Sequence, residues 1–140
     1  MNNWDYRFFD LASHVATWSK DPSTQVGAVV VNDKRQVLGM GYNGFPRGVD
    51  DAAHRYNNRE TKLMFVAHAE RNALDNTFAN VEGATLYSTL FPCTDCAKGI
   101  IQRGIKRVVT SEPSPDQHQR FNCDVSAIMF EEAGVELNLI

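Results

Sequence analysis

The stretch that most constrains this chain is His68-Ala69-Glu70, followed after twenty-one residues by Pro92-Cys93-Thr94-Asp95-Cys96. One imidazole and two thiolates form a three-protein-ligand set for catalytic zinc, which keeps the fourth tetrahedral position open for water. A closed structural site would need a fourth Cys or His, and none stands at ligand spacing nearby. A lone C-x-x-C fits a redox pair or a structural metal equally well. A lone His before an apolar helix is usually a core or surface residue. Their joint occurrence, with Glu70 two residues after the His, points to a metal site that does chemistry. Glu70 is too close in sequence to His68 to be an easy fourth ligand, and it is well placed to handle the protons of a bound water.

The fold must bring these two segments together. Phe8, Leu11, Ala12, Val15 and Trp18 recur at helical spacing and predict an amphipathic helix over about 4–18. After the polar loop 19–25, Val26 to Val31 and Val37 to Tyr42 read as a hairpin joined by a four-residue turn, Asn32 to Arg35. The first of these strands is almost wholly apolar, so both of its faces are expected to be covered. Asn43 to Gly48 is a loop by composition. Residues 50–62 carry Asp50, Asp51, Arg55, Arg59, Glu60 and Lys62 and read as a short helix or a surface excursion, with the charges solvated.

A helix over 66–78 carries His68 and Glu70. Thr85 to Ser88 is a strand, about 94–103 a helix closed by Gly104, and Lys106 to Thr110 a strand. Ser111 to Arg120 reads as a loop, 124–133 as a helix ended by Gly134, and Val135, Leu137 and Leu139 alternate as a last strand. The order α-β-β-α-β-α-β-α-β predicts one α/β domain over 1–140, a three-layer α/β/α sandwich around a central mixed five-stranded sheet. Both ligand segments then open helices. Their partly positive N-termini favour thiolate over thiol and direct unpaired N–H groups, that of Ala69 among them, toward the pocket.

Composition limits the partners. The 140 residues carry a formal net charge of −3 and no Lys/Arg run. That disfavours a large nucleic acid as substrate, because phosphate backbones demand clustered positive charge. A mononucleotide needs only one or two cations. The three cysteines, two of them in the motif, make no disulfide framework. Cys123 reads as a small, partly buried apolar residue. A thiolate pair on a metal fits a reducing compartment. The polar, aromatic start, Met1 to Asp10, does not read as a signal peptide, and no apolar run approaches the roughly 20 residues that span a membrane. The expected location is the cytoplasm.

The chemistry follows from the ligand set. Zinc makes hydroxide available at neutral pH by lowering the pKa of bound water to about 7. Glu70 then takes a proton, delivers it to a ring nitrogen beside the carbon under attack, and afterwards passes a proton to the departing amine. The residues alone therefore indicate a zinc hydrolase acting on an amidine-like carbon.

The H-x-E…P-C-x-x-C pattern is the signature of zinc nucleobase deaminases. Beyond it, SKDPSTQVGAVVV (19–31), GYNGFPRG (41–48), HAERNAL (68–74), LYSTLFPCTDCAKGIIQRGIKRVV (86–109) and EEAGVEL near the end resemble the deoxycytidylate deaminases. The resemblance implies hydrolysis of dCMP to dUMP for thymidylate synthesis. It also implies a homo-oligomer, often a hexamer, activated by dCTP and inhibited by dTTP with Mg2+ at a separate site. Carried over, His68, Cys93 and Cys96 hold one Zn2+ per chain and Glu70 shuttles protons.

Asn43 resembles the residue that bonds the sugar 3′-hydroxyl; it also reads simply as a turn Asn before Gly44. Lys20, Ser23 and Arg47 lie in loops that contact phosphates of substrate or effector, or else are plain loop surface. Many family members place a tyrosine soon after the strand at 106–110. This chain has TSEPSPDQHQRF, so Arg120 and Phe121 become the candidates for phosphate cation and stacking ring. No Cys precedes position 93, so a second, structural zinc is not expected, and His14, His54 and His118 read as surface or hydrogen-bonded residues. The alternatives are a tRNA adenosine, cytosine or guanine deaminase, or a catalytically silent zinc-bearing nucleotide sensor. An acidic chain counts against the first and an intact Glu70 against the last.

Overall fold

Helix α1 (Asn3–Ala16) is started by Asn2, whose side chain accepts from the Trp4 and Asp5 amides while the Asp5 carboxylate accepts the Asn2 N–H. It ends two residues short of the sequence expectation, at Thr17, whose hydroxyl bonds the His14 carbonyl. Phe8 and Ala12 press it onto Val29, Val31, Tyr87 and Val109. These residues lie on one face of a five-stranded sheet in this computed structural model, which describes residues 1–140.

The strands are β1 (Gly27–Val31), β2 (Val37–Tyr42), β3 (Thr85–Ser88), β4 (Arg107–Thr110) and β5 (Glu136–Leu139), in the order β2-β1-β3-β4-β5. β1 runs antiparallel to both of its neighbours, whereas β3, β4 and β5 are mutually parallel. The sheet is therefore mixed, as expected, and β1 is buried along its whole length, as its unbroken apolar run requires. Asn32 shapes the hairpin turn by accepting from the Lys34 and Gln36 amides, with Arg35 at φ 62°.

The other face carries helices α4 (Ala69–Asp75), α5 (Thr94–Gln102) and α7 (Cys123–Ala133). The larger core lies there, built on Val30, Leu74, Leu86, Ile100, Val108 and Phe130. Helices on both faces complete the α/β/α sandwich. No helix is long and apolar enough to cross a membrane.

Four sequence expectations need correction. The helix expected over 66–78 covers only Ala69–Asp75. Ala67 exchanges both backbone hydrogen bonds with Gly44, at 2.8 and 3.1 Å, and this bridge keeps the chain extended until His68. The strand expected from Lys106 begins at Arg107. Residues 50–62 form two short helices, α2 (Ala53–Asn57) and α3 (Arg59–Phe65), and Lys62 is buried rather than solvated. The loop expected at 111–120 contains α6 (Pro115–Phe121). Ser114 caps it in a reciprocal pair with Gln117, and Pro115 occupies the first turn, where its missing N–H costs nothing.

Helix α4 sits unusually close to β2 because β2 presents glycine there. A Cβ on Gly41 would lie 2.8 Å from the Ala69 carbonyl oxygen and closer still to the backbone at Asn72 and Ala73. Neither partner is a flexible side-chain end, so the backbones themselves must separate. We expect Gly41→Ala to cost about 1–3 kcal/mol, the usual range for overpacking, and to lower activity by displacing His68 and Glu70. A urea midpoint unchanged from wild type, at unchanged slope, would show that α4 is not seated by this contact.

Candidate active site

The site lies at the carboxyl ends of β3 and β4, where α/β sheets form ligand crevices. His68 is the N-cap of α4 and Cys93 the N-cap of α5, neither capped by its own side chain. The extended stretch ending at His68 and the Phe91-Pro92 loop after β3 aim them at each other. His68 Nδ1 lies 3.4 Å from Cys93 Sγ and 3.3 Å from Cys96 Sγ. All three donor atoms fall within 4.8 Å of one another. A tetrahedral zinc with bonds of about 2.05 Å to nitrogen and 2.3 Å to sulfur separates such atoms by roughly 3.5 Å, so the residues present fit that metal.

Cys93 is held far below the ordinary thiol value by hydrogen bonds from Cys96 and His68. Cys96, the donor of the pair and more deeply buried, is pushed up. Thiolate character at Cys93 is what a zinc site uses, and a bound cation would draw the proton from Cys96 as well.

Glu70, in the first turn of α4, is 4 % exposed. Its Oε1 is 3.1 Å from the Ser88 hydroxyl. Burial pushes its carboxyl up, and the opposing pull of His68 and of hydrogen bonds from Cys96 and Ser88 does not cancel that. A carboxyl raised toward neutrality in a pocket is suited to accept a proton and return it.

A cavity of about 270 Å³ opens over this group. His68, Ala69, Glu70, Cys93, Asn43, Arg120 and Phe121 line it, whereas Cys96 stands behind that lining with its sulfur against His68. Arg120 stands at the rim, exposed, 3.3 Å from Asp116, with its guanidinium 5.0 Å from the Phe121 ring centre. Lys20, Ser23 and Arg47 do not line the cavity. Lys20 pairs with Asp51, Ser23 bonds Asp21 and Lys62, and Arg47 donates to Asn76. Cys123 is fully buried, its sulfur 3.5 Å from the Gln117 carbonyl oxygen. His14, His54 and His118 are exposed.

Sequence reasoning missed Asp21, Thr24, Lys62 and Ser88. Asp21 and Lys62 are 6 % and 8 % exposed, line the cavity and pair at 3.2 Å across forty residues of chain. Nothing in local spacing announces a pair at that separation. Ser88 was legible only as the polar member of an apolar strand.

The family model for the cytidine and deoxycytidylate deaminase zinc-binding region matches residues 2–112. A deaminase of the luxG 3′ region of Aliivibrio fischeri is 43 % identical over 139 residues, spanning 98 % of this chain and 93 % of that protein. Deoxycytidylate deaminase of Mus musculus is 41 % identical, with 94 % and 76 % covered. The crystal structure of dCMP deaminase from cyanophage S-TIM5 with dCMP and dUMP superposes with a TM-score of 0.79 at 26 % identity, over 100 % and 99 % of the two chains. The open His-Cys-Cys set, the buried glutamate beside it and a family match that spans both make this chain a member of the cytidine and deoxycytidylate deaminase family.

Proposed function

We infer that this chain is a zinc-dependent hydrolase that converts dCMP to dUMP and ammonia, in keeping with the activity its relatives are named for. The observation that carries the reading is that one cavity opens onto two members of a His-Cys-Cys metal set, a buried glutamate and an arginine beside an aromatic ring.

His68, Cys93 and Cys96 would hold one zinc, which would supply a water activated for attack. Glu70 accepts a proton from that water and gives it to N3 of the cytosine ring, so the adjacent C4 accepts the nucleophile. The same carboxyl then takes the proton of the new C4 hydroxyl and passes it to the exocyclic amine, so the C4–N bond breaks, the C4 carbonyl forms and ammonia leaves. Ser88 bonds Oε1 and fixes the carboxylate's orientation during both transfers. The Ala69 amide, at the first turn of α4 and without an intrahelical acceptor, receives the base carbonyl. Phe121 lies against the pyrimidine, Asn43 takes the 3′-hydroxyl, and Arg120 exchanges Asp116 for the 5′-phosphate.

The regulatory and cellular parts of the reading rest on family likeness. The enzyme is a cytoplasmic homohexamer, raised in activity by dCTP and lowered by dTTP with Mg2+. The Lys20 and Ser23 loop and Arg47, outside the cavity, contact the effector phosphates. Exposed Leu63, Met64, Val125 and Ile128 give apolar surface for subunit contact.

Elemental analysis is expected to give one zinc per chain, and Cys93→Ser or Cys96→Ser to remove both metal and turnover; two zincs per chain, or active metal-free protein, contradicts the assignment. Glu70→Gln preserves shape but not proton transfer, so it should retain zinc and lose about 100- to 10,000-fold in kcat. Near-normal turnover would assign the proton to another group. Ammonia release measured across dCMP, deoxycytidine, cytosine, guanine and adenosine substrates should favour dCMP. In Arg120→Ala that preference over deoxycytidine should shrink by about 10- to 200-fold, the worth of a charge-assisted contact. An equal fall on both would make Arg120 structural. In the same assay flat rate curves with dCTP and dTTP present, in Mg2+, would reject the regulatory reading.

A further inference from the structure

Cys93 and Cys96 are placed for a second chemistry besides holding a metal. Cys93 is the N-cap of α5 and Cys96 the third residue of that helix. Helix geometry sets Cα atoms three residues apart about 5 Å from each other, within the roughly 4.4–6.8 Å that a disulfide spans. Their side chains are not splayed. Both sulfurs close on one atom, His68 Nδ1, at 3.4 and 3.3 Å, and lie within 4.8 Å of each other. Both are free cysteines. At that separation a bond between them can form by side-chain rotation, without backbone movement.

The two sulfurs differ in access. Cys93 is half-buried and lines the active-site cavity. Cys96 is 8 % exposed and borders a different space, the groove between α4 and α5. A small oxidant entering the cavity therefore meets Cys93 first, with Cys96 directly behind it. An accessible attacking sulfur with a second cysteine beside it is the arrangement that redox-responsive pairs use. Cys123 stands apart. It is fully buried on α7, and its sulfur is against the Gln117 carbonyl.

We propose that the His68-Cys93-Cys96 group is also a peroxide-sensitive switch, in which oxidation joins Cys93 to Cys96 and releases the zinc. The proposal rests on the zinc assignment above. Cys93 Sγ attacks one oxygen of the peroxide, the O–O bond breaks, and the other oxygen takes a proton and leaves as water. Cys96 Sγ then attacks the Cys93 sulfenic acid. The S–O bond breaks, the S–S bond forms, and a second water leaves with a proton from solvent. The two sulfurs have lost two electrons and the peroxide has gained them. Disulfide sulfurs are no longer thiolates, the form that ligates metal, so His68 alone is left and the ion departs. A dithiol reductant reverses the step by exchange, after which zinc rebinds.

The test treats zinc-loaded protein with hydrogen peroxide while a chromogenic zinc indicator follows release. Free thiols are then blocked with iodoacetamide and the chain is cut with trypsin. Cleavage after Arg71, Lys98 and Arg120 puts Cys93 and Cys96 in one fragment, Asn72–Lys98, and Cys123 in another, Phe121–Ile140. We expect one zinc released per chain, the first fragment unalkylated and lighter by two hydrogens, and the second alkylated as before. In a parallel sample, dimedone present during oxidation should label Cys93 and not Cys96. Dithiothreitol should restore both thiols, and added zinc should rebind at one per chain. Zinc retained with both cysteines still alkylated overturns the proposal. So does Cys93 carried on to sulfinic acid without an internal disulfide, a bond from either cysteine to Cys123, or dimedone on Cys96 instead. Protein that holds no zinc before peroxide is added overturns the parent assignment and this one with it. Zinc-loaded protein that fails to form the bond overturns this one alone.

Discussion

The site depends on how closely α4 can lie on β2. A helix packed on a strand is normally held off by the strand's side chains. Here Gly41 presents bare backbone beneath Ala69, Asn72 and Ala73. Seating the helix this deep puts its first turn, with His68 and Glu70, at the level of the β3 carboxyl end. The Phe91-Pro92 loop then delivers Cys93 and Cys96. The Ala67–Gly44 bridge fixes where the helix begins, and Asn72 and Asn76 fasten it by donating to the Tyr42 and Met40 carbonyls of β2. Three ligand atoms within 4.8 Å thus follow from backbone contacts well away from the metal position.

The buried carboxylates show how environment divides roles among identical groups. Asp5 is bonded by Arg107 and Tyr87 and held well below the carboxylate range; it ties α1 to β3 and β4 and has no further capacity. Asp21 is kept ionised by two amides and Lys62 but is saturated on one oxygen only. Glu70 has few donors and deep burial, and its carboxyl rises. A saturated anchor, a half-used charged acceptor and a carboxyl raised by burial are separated by the number of donors around each oxygen.

Sequence patterns carry the parts of this fold that are local. The periods of α1, α5 and α7, the apolar β1, and the ligand spacing of His68, Cys93 and Cys96 are all short-range signals, and each predicts an element close to its observed place. Helix α6 was also locally legible, since Ser114-Pro115 followed by Gln117 is a capping box with proline in the first turn. The polar composition of 111–120 masked it. The tight span of α4 was not legible, because its start is set by a bridge to Gly44 more than twenty residues away. Lys62 was misjudged for the same reason: a charged run looks solvated until the fold supplies Asp21 on the far side. The metal motif is dense in sequence, while the other polar groups lining the cavity, Asp21, Asn43, Lys62 and Arg120 among them, come from separate segments.

That distribution of charge assigns different tasks to the two ends of the cavity. Arg120 is on a two-turn helix, its side chain 40 % exposed and already engaged with Asp116. An exposed cation is screened by salt, so its attraction for an anion falls as ionic strength rises. Cys123 Sγ against the Gln117 carbonyl and the left-handed turn at Asn122 settle α6 on α7, which keeps Phe121 at the cavity while Arg120 remains in solvent. The inner end is buried, and its donors and acceptors are held by hydrogen bonds within the chain. Hydrogen bonds made there discriminate strongly, because the wrong ligand leaves buried groups unpaired. Charge thus stands at the exposed rim, while the fixed donors and acceptors around Asn43 and Glu70 lie buried.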